Sequence, residues 1–150
     1  MKKFCATLIT LLVFKTLVFA DVNERLLHSF NKAFPLAVNT KWSEDANGYF
    51  VSFTQSGILS KVAYDLSGDF VYALRYYHEE NLPVSILMAV KEKFKNKKIF
   101  AITELSTSDD VNYYIKLQDA KNWYGIVVTS AGRITLREHY KRGEPQKFIR

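Results

Sequence analysis

The side chains of this chain that could do chemistry are few and scattered. Three histidines, one cysteine and 15 acidic residues are spread over 150 positions. His28 lies in a helix-patterned stretch with Lys32, not a second ligand, at i+4, and a metal site needs three or four converging ligands. His78-Glu79-Glu80 has the composition of a metal or acid/base cluster. It stands just before Leu82-Pro83, between a strand pattern and a helix pattern, and reads as a solvated connection. Asp65 and Asp69 flank Ser67-Gly68 as paired carboxylates would, but aspartate beside glycine is what a tight reversal uses. Asp109-Asp110 occupies the matching loop of the second half. No glycine-rich phosphate loop, nucleophile elbow or helical histidine pair is present. The types and spacings support no catalytic residue, no metal and no cofactor, and the chain reads as a non-enzyme.

The pattern that does stand out is a repeat at an offset of 64 residues. Phe30 falls on Phe94, Val51 on Ile115, Val62 on Ile126, Gly68 on Gly132 and Tyr76 on Tyr140. Identity across this offset is low, and the match lies in apolar positions and turn glycines. It predicts two copies of one supersecondary unit with a shared core.

Residues 1–20 read as an export signal. Lys2 and Lys3 are followed by an apolar run from Phe4 to Phe14, and Val18-Phe19-Ala20 offers small residues at the −3 and −1 positions of a cleavage site. Lys15 interrupts the run, which argues against a spanning helix, and no later segment is apolar enough to span. The expectation is a periplasmic or secreted protein of residues 21–150, cleaved near Ala20. Cys5 would leave with the leader, so disulfides contribute nothing. The formal charge of +6 includes three leader lysines, Lys2, Lys3 and Lys15. Without them 18 basic residues face 15 acidic ones, a net of +3, which argues against a nucleic-acid partner.

The periodicity changes along the chain. Val22, Leu26, Phe30 and Phe34 recur at helical spacing until Pro35. Tyr49, Val51 and Phe53, then Ile58 to Leu66, then Phe70, Tyr72, Leu74 and Tyr76 alternate as strands separated by Asn47-Gly48 and Ser67-Gly68. Pro83 opens a second helix carrying Ile86, Leu87, Val90 and Phe94, and four more strands follow. The predicted fold is α+β, a tandem repeat of a helix plus a four-stranded antiparallel meander, about 22–78 and 86–142, with the helices on one face of a curved sheet.

Phe34-Pro35, Trp42, Tyr49-x-Val51-x-Phe53, Tyr64-Asp65-x-x-Gly68 and Leu82-Pro83 together resemble the PepSY-like family of small exported bacterial proteins, described as beta-lactamase-inhibitor-protein-like. The second half departs from the first, with Ser106 where Trp42 would recur and Thr129 where Asp65 would. The resemblance implies helices on one face of an antiparallel sheet and a non-enzymatic role in which the uncovered face binds another protein.

Strand phase then assigns that face. With Tyr49, Val51, Phe53 and the even residues of the later strands directed at the helices, Arg75, Tyr77, Tyr114, Lys116, Trp123 and Arg137 are expected to point outward. Tyr, Trp and Arg carry most of the energy at protein interfaces. These six are the candidate partner-binding residues, and the expected function is an exported binding protein. It would inhibit or modulate a protein of the envelope or the extracellular space. The alternatives are self-association as a structural component and, behind it, a small-ligand carrier.

Overall fold

The computed structural model describes residues 24–143. The expected leader, Val22 and the C-terminal tail lie outside the described residues. Helix α1 spans Glu24–Ala33 and places Leu26 and Phe30, one turn apart, on its buried side. Phe34 closes it by donating its backbone N–H to the Phe30 carbonyl at 2.8 Å, and Pro35 bars continuation. Helix α2 spans Val84–Lys93 behind Pro83, and buries Ile86 and Val90. Between and after them run β1 (Val38–Asp45), β2 (Gly48–Gln55), β3 (Ile58–Tyr64), β4 (Phe70–Tyr77), β5 (Lys98–Ser106), β6 (Val111–Gln118), β7 (Asn122–Thr129) and β8 (Ile134–Lys141). A single 3-10 turn, Glu79–Asn81, links β4 to α2.

These strands form one sheet in the order β1 to β8, antiparallel throughout. That overturns the expected α+β tandem repeat of two helix-plus-meander units. β4 and β5 pair directly, from Ala73↔Ser106 to Tyr77↔Ile102, so the hydrogen-bonded ladder crosses the supposed boundary without a break. The molecule is dominated by that sheet, with two ten-residue helices as its cover. Sequence periodicity reports each strand's alternation but not which strand edges meet, and an unpaired edge at β4 or β5 would leave backbone groups open.

Two apolar clusters form on the helix side. Leu26 and Phe30 of α1 pack with Val51, Phe53, Val62 and Tyr64, and the Phe30 and Phe53 rings meet edge-on at 5.1 Å. Ile86 and Val90 of α2, with Leu82, pack with Ile102, Ile115, Leu117, Ile126 and Val128. The turns obey local chemistry. Asp65 Oδ1 accepts the backbone N–H groups of Ser67 (2.8 Å) and Asp69 (2.9 Å), which assigns that carboxylate to the reversal. Gly48 is obligatory, since its φ is +149° and a Cβ there would stand 2.0 Å from the Tyr64 carbonyl oxygen.

Truncating Phe53, which is fully buried, should cost about 3–5 kcal/mol. Leu136→Ala, at a half-exposed position, should change stability by only about 0.5 kcal/mol. Urea unfolding of both variants checks the packing.

Candidate functional site

Polar and aromatic side chains gather at the seam between the two apolar clusters, on the sheet face that carries no helix, and around Asp119, which accepts Lys97 Nζ at 3.0 Å and the Tyr124 hydroxyl at 2.8 Å. The seam lies where β4 meets β5. Ala73 packs against the α1 cluster and Tyr77 belongs to the α2 cluster, which leaves Arg75 between them. Arg75 pairs with Glu104 across the ladder, with Nη1 3.1 Å from Oε1. Glu104, only 8% exposed, also accepts the Tyr77 hydroxyl, and Ser106 Oγ approaches its other oxygen at 3.5 Å. The Arg75 guanidinium lies 5.4 Å from the Tyr77 ring centroid. Burial, then the hydrogen bond to Glu104 and the charge of that carboxylate, raise the Tyr77 phenol well above its ordinary value. Burial and the same carboxylate raise Tyr113. Arg75, Tyr77 and Ser106 converge on the Glu104 carboxylate, and the cluster reads as a fold-stabilising network.

This placement corrects the expected phase of β4. Leu59 pairs with Tyr76, Lys61 with Leu74 and Ala63 with Tyr72, so Tyr72, Leu74 and Tyr76 share the helix-free face with Lys61, while the register shift before Tyr64 pairs Phe70 with that residue. Arg75 and Tyr77 point the other way, and Tyr77 is 6% exposed. The even positions are uniformly apolar, and apolarity normally marks the core face. In this protein the outer face is aromatic as well, so the usual signal selects the wrong side.

The helix-free face is built of cross-strand rows, since paired residues share a face. One row runs Leu59, Tyr76, Thr103, Tyr114, Val127, Thr135. Beside it run Ala101, Lys116, Gly125, Glu138, and then Lys98, Gln118, Trp123, Tyr140. On the other flank lie Lys41, Ser52, Lys61, Leu74 and Leu105. Tyr114, Lys116 and Trp123 therefore stand where the strand alternation put them. Arg137 reaches the same face by a different route. β8 carries a bulge opposite Gly125 and Ile126, and Arg137 is the extra residue. A bulge re-aims a side chain, and Arg137 lines the groove described next.

Three grooves indent this face. The largest, about 710 Å³, is lined by Thr103, Tyr114, Lys116, Arg137 and Glu138 over a floor at Gly125. A second, about 370 Å³, lies among Lys41, Phe50, Lys61, Tyr72 and Tyr76. A third, about 440 Å³, shares Tyr76 with the second and Ala101 and Thr103 with the first. The third lies toward the strand ends, by Ser56, Gly57, His78 and Asn81, and the linings of the three follow one another from β1 to β8, on the order of 30 Å across seven strand spacings. Aromatic rings and cations interleave along them. Lys61 lies 5.9 Å from the Tyr76 ring, Lys116 5.3 Å from Tyr140, and Arg142 5.5 Å from Trp123, which also meets Phe100 edge-on at 4.9 Å. Hydrogen bonding to Tyr140 (2.9 Å), followed by pairing with Glu138 (3.3 Å), holds the Lys116 ammonium above its ordinary value. The strands of this face carry Lys41, Lys61, Lys98, Lys116 and Arg137 against two carboxylates, Asp45 at the end of β1 and Glu138.

The other sequence candidates are dispersed. His78 Nδ1 lies 3.2 Å from the Phe100 carbonyl oxygen and Glu79 pairs with Lys91 at 3.2 Å. Asp110 is tied to Ser130, which together with the Val111 backbone holds it below the usual carboxylate range. His139, expected on the outer face, stacks on Tyr124 at 4.6 Å, on the helix side of the sheet. Among the described residues no three His, Cys, Asp or Glu side chains converge as a metal site, and no helix is long and apolar enough to cross a membrane. Sequence reasoning missed Tyr76, Tyr72 and Glu138. The register signal for Tyr72 and Tyr76 is Lys61, a cation at a position that pairs directly with β4.

No family model matches the chain, and no curated protein matches it. Solved structures of similar fold do exist. A BLIP-like protein from Bacteroides fragilis superposes with a TM-score of 0.61 at 16% identity, over 83% of this chain and 89% of the other. A DUF2874 family protein from Bacteroides uniformis gives 0.60 at 17% identity, over 79% and 88%. A putative periplasmic protein from Bacteroides eggerthii gives 0.59 at 16%, again over 79% and 88%. At these identities the likeness is one of fold.

The raised phenol in the seam makes a testable statement. Its folded pKa exceeds the unfolded value, so its contribution is complete below about pH 10 and is lost as pH rises toward the folded value. Tyr77→Phe should therefore make the alkaline limb of the stability–pH profile shallower, measured by chemical denaturation between neutral and strongly alkaline pH. An unchanged limb would place Tyr77 outside the buried network.

Proposed function

We propose that this protein is an exported, non-enzymatic binding protein that holds a protein of the envelope or extracellular space against its helix-free sheet face. The observation that carries the reading is the set of neighbouring grooves in which Tyr72, Tyr76 and Tyr114 interleave with Lys61, Lys116 and Arg137, with Trp123 in an adjoining cross-strand row. An antiparallel sheet whose second face meets only water ordinarily alternates apolar and polar side chains. Here the second face carries the residue types that dominate interface energetics. The solved BLIP-like and putative periplasmic proteins of similar fold support export and a binding role in the same direction. Domain organisation follows: a leader of 1–20 and one binding domain of 21–150. Trp123, Tyr114, Lys116 and Arg137 remain the contact residues of this proposal, joined by Tyr76. Arg75 and Tyr77 leave it, because their side chains are spent on Glu104.

Self-association is the weaker reading for a specific reason. Two copies meeting through this face would set cations against cations. The sheet's edges are also blunted: β1 is kinked between Val38 and Lys41, where Asn39 takes a positive φ of 56°, and β8 is bulged and carries charge along its length.

The test is capture from an envelope extract of the source bacterium, with wild type and a Trp123→Ala/Tyr114→Ala variant as baits. Retention of one protein by the wild type and its loss from the variant, with thermal unfolding unchanged, is the expected result. Each aromatic truncation should weaken binding by about 2 kcal/mol. Equal recovery by both baits would remove the assignment.

A further inference from the structure

The largest groove holds an arrangement that folding alone does not require. Gly125 lies beneath Glu138, and a Cβ there would meet Glu138 Oε2 at 3.0 Å, its Cβ at 3.1 Å and its Cδ at 3.2 Å. The missing side chain lets the carboxylate lie across β7 and reach Lys116 Nζ on β6 at 3.3 Å. Glu138 keeps more than half of its side chain in water, and an exposed pair of this kind is worth little to stability. Beside it Arg137 enters the same groove and has no ion-pair partner among the described residues. The groove therefore presents two cations to one carboxylate, and that carboxylate is loosely held.

We infer that the groove centre, between Lys116 and Arg137, receives a carboxylate from an acidic polypeptide segment of the partner. Glu138 is the chain's own stand-in, displaced when the partner's group arrives. The inference rests on the sheet-face reading above and names the partner's chemistry. A polypeptide fits better than an acidic glycan. Apart from the charged trio, the outward side chains of the lining are Tyr114, Val127 and Ala101, with Thr103 and Asn112 as the neutral polar ones. Apolar side chains flanking a glutamate or aspartate would be buried against Tyr114, Val127 and Ala101, where sugar hydroxyls would have to give up water. The resident carboxylate also serves specificity. Two open cations would draw any polyanion, while displacing Glu138 yields a gain only to a ligand that also covers Tyr114 and Val127.

Fluorescence anisotropy on the full chain tests this with three labelled probes: a glutamate–tyrosine copolymer, a lysine–tyrosine copolymer and polygalacturonate. The wild type should bind the first, more weakly as salt rises, and should bind neither of the others. Glu138→Gln should bind it about fivefold tighter and Arg137→Gln about fivefold weaker. Gly125→Ala, which pushes Glu138 off its seat without removing its charge, should act in the same direction as Glu138→Gln. Unfolding curves that match the wild type show that each variant is folded. Unchanged or weaker binding by a folded Glu138→Gln overturns the inference, and so does polygalacturonate binding as tightly as the peptide copolymer. If a partner is captured through Trp123 and Tyr114 while the Glu138 and Arg137 variants behave as wild type, the sheet-face reading stands and this one falls. Capture indifferent to Trp123 and Tyr114 removes the reading on which it rests.

Discussion

The β4–β5 ladder is the constraint on which the rest of the structure depends. Five residue pairs, Ala73↔Ser106 to Tyr77↔Ile102, turn what would be two four-stranded sheets into one of eight strands. Because side chains alternate with a strict period of two, this pairing fixes the face of every residue on both sides of it. It also determines what lies between the two helices. Leu26 and Phe30 cover one apolar cluster, Ile86 and Val90 cover another, and neither helix extends over the junction. The junction is polar instead. Arg75, Glu104, Tyr77 and Ser106 satisfy one another there, in a place where an apolar group would be only partly covered and an unpaired charge would be costly.

Uniting the sheet has a consequence for its other face. Two separate meanders would present two short grooves with exposed edges between them. One sheet presents neighbouring grooves that continue past the junction, since Tyr76 and Thr103 are paired across the β4–β5 ladder and line the grooves on either side. An aromatic surface of this extent invites indiscriminate association. The cations set among the rings moderate that tendency, because each ammonium or guanidinium stays hydrated while its stem or charge rests against an aromatic face. The same residues that suit the face to the proposed partner would set cations against cations in a second copy.

Much of the local structure was legible in the residues themselves. Pro35 and Pro83 mark the end of one helix and the start of the other, Gly48 and Gly68 mark reversals, and Ile102, Ile115 and Ile126 follow strand alternation into the core. The outward positions of Tyr114, Lys116 and Trp123 follow from the same alternation, because their buried neighbours are unambiguous. β4 was not legible in this way. Tyr72, Leu74 and Tyr76 are apolar and face away from the helices, whereas the opposite side of the strand carries an arginine. Arg137 was placed on the outer face by a phase count that ignored the bulge, and it lines the outer groove because the bulge directs it there.

By itself the sequence determined what depends on neighbours in the chain: helix limits, turn chemistry and strand period. Tertiary structure alone decided which strand edges meet, which side of β4 is core, and that Glu138 lies over Gly125 beside Lys116 and Arg137. The physical reason is that local propensity acts over a few bonds, whereas register is a choice among distant edges. Glu104 and Arg75 lie 29 positions apart, and Glu138 and Lys116 lie 22 apart. Their meeting is set by how many residues each bulge and turn consumes, a sum over the whole sheet that no single segment contains.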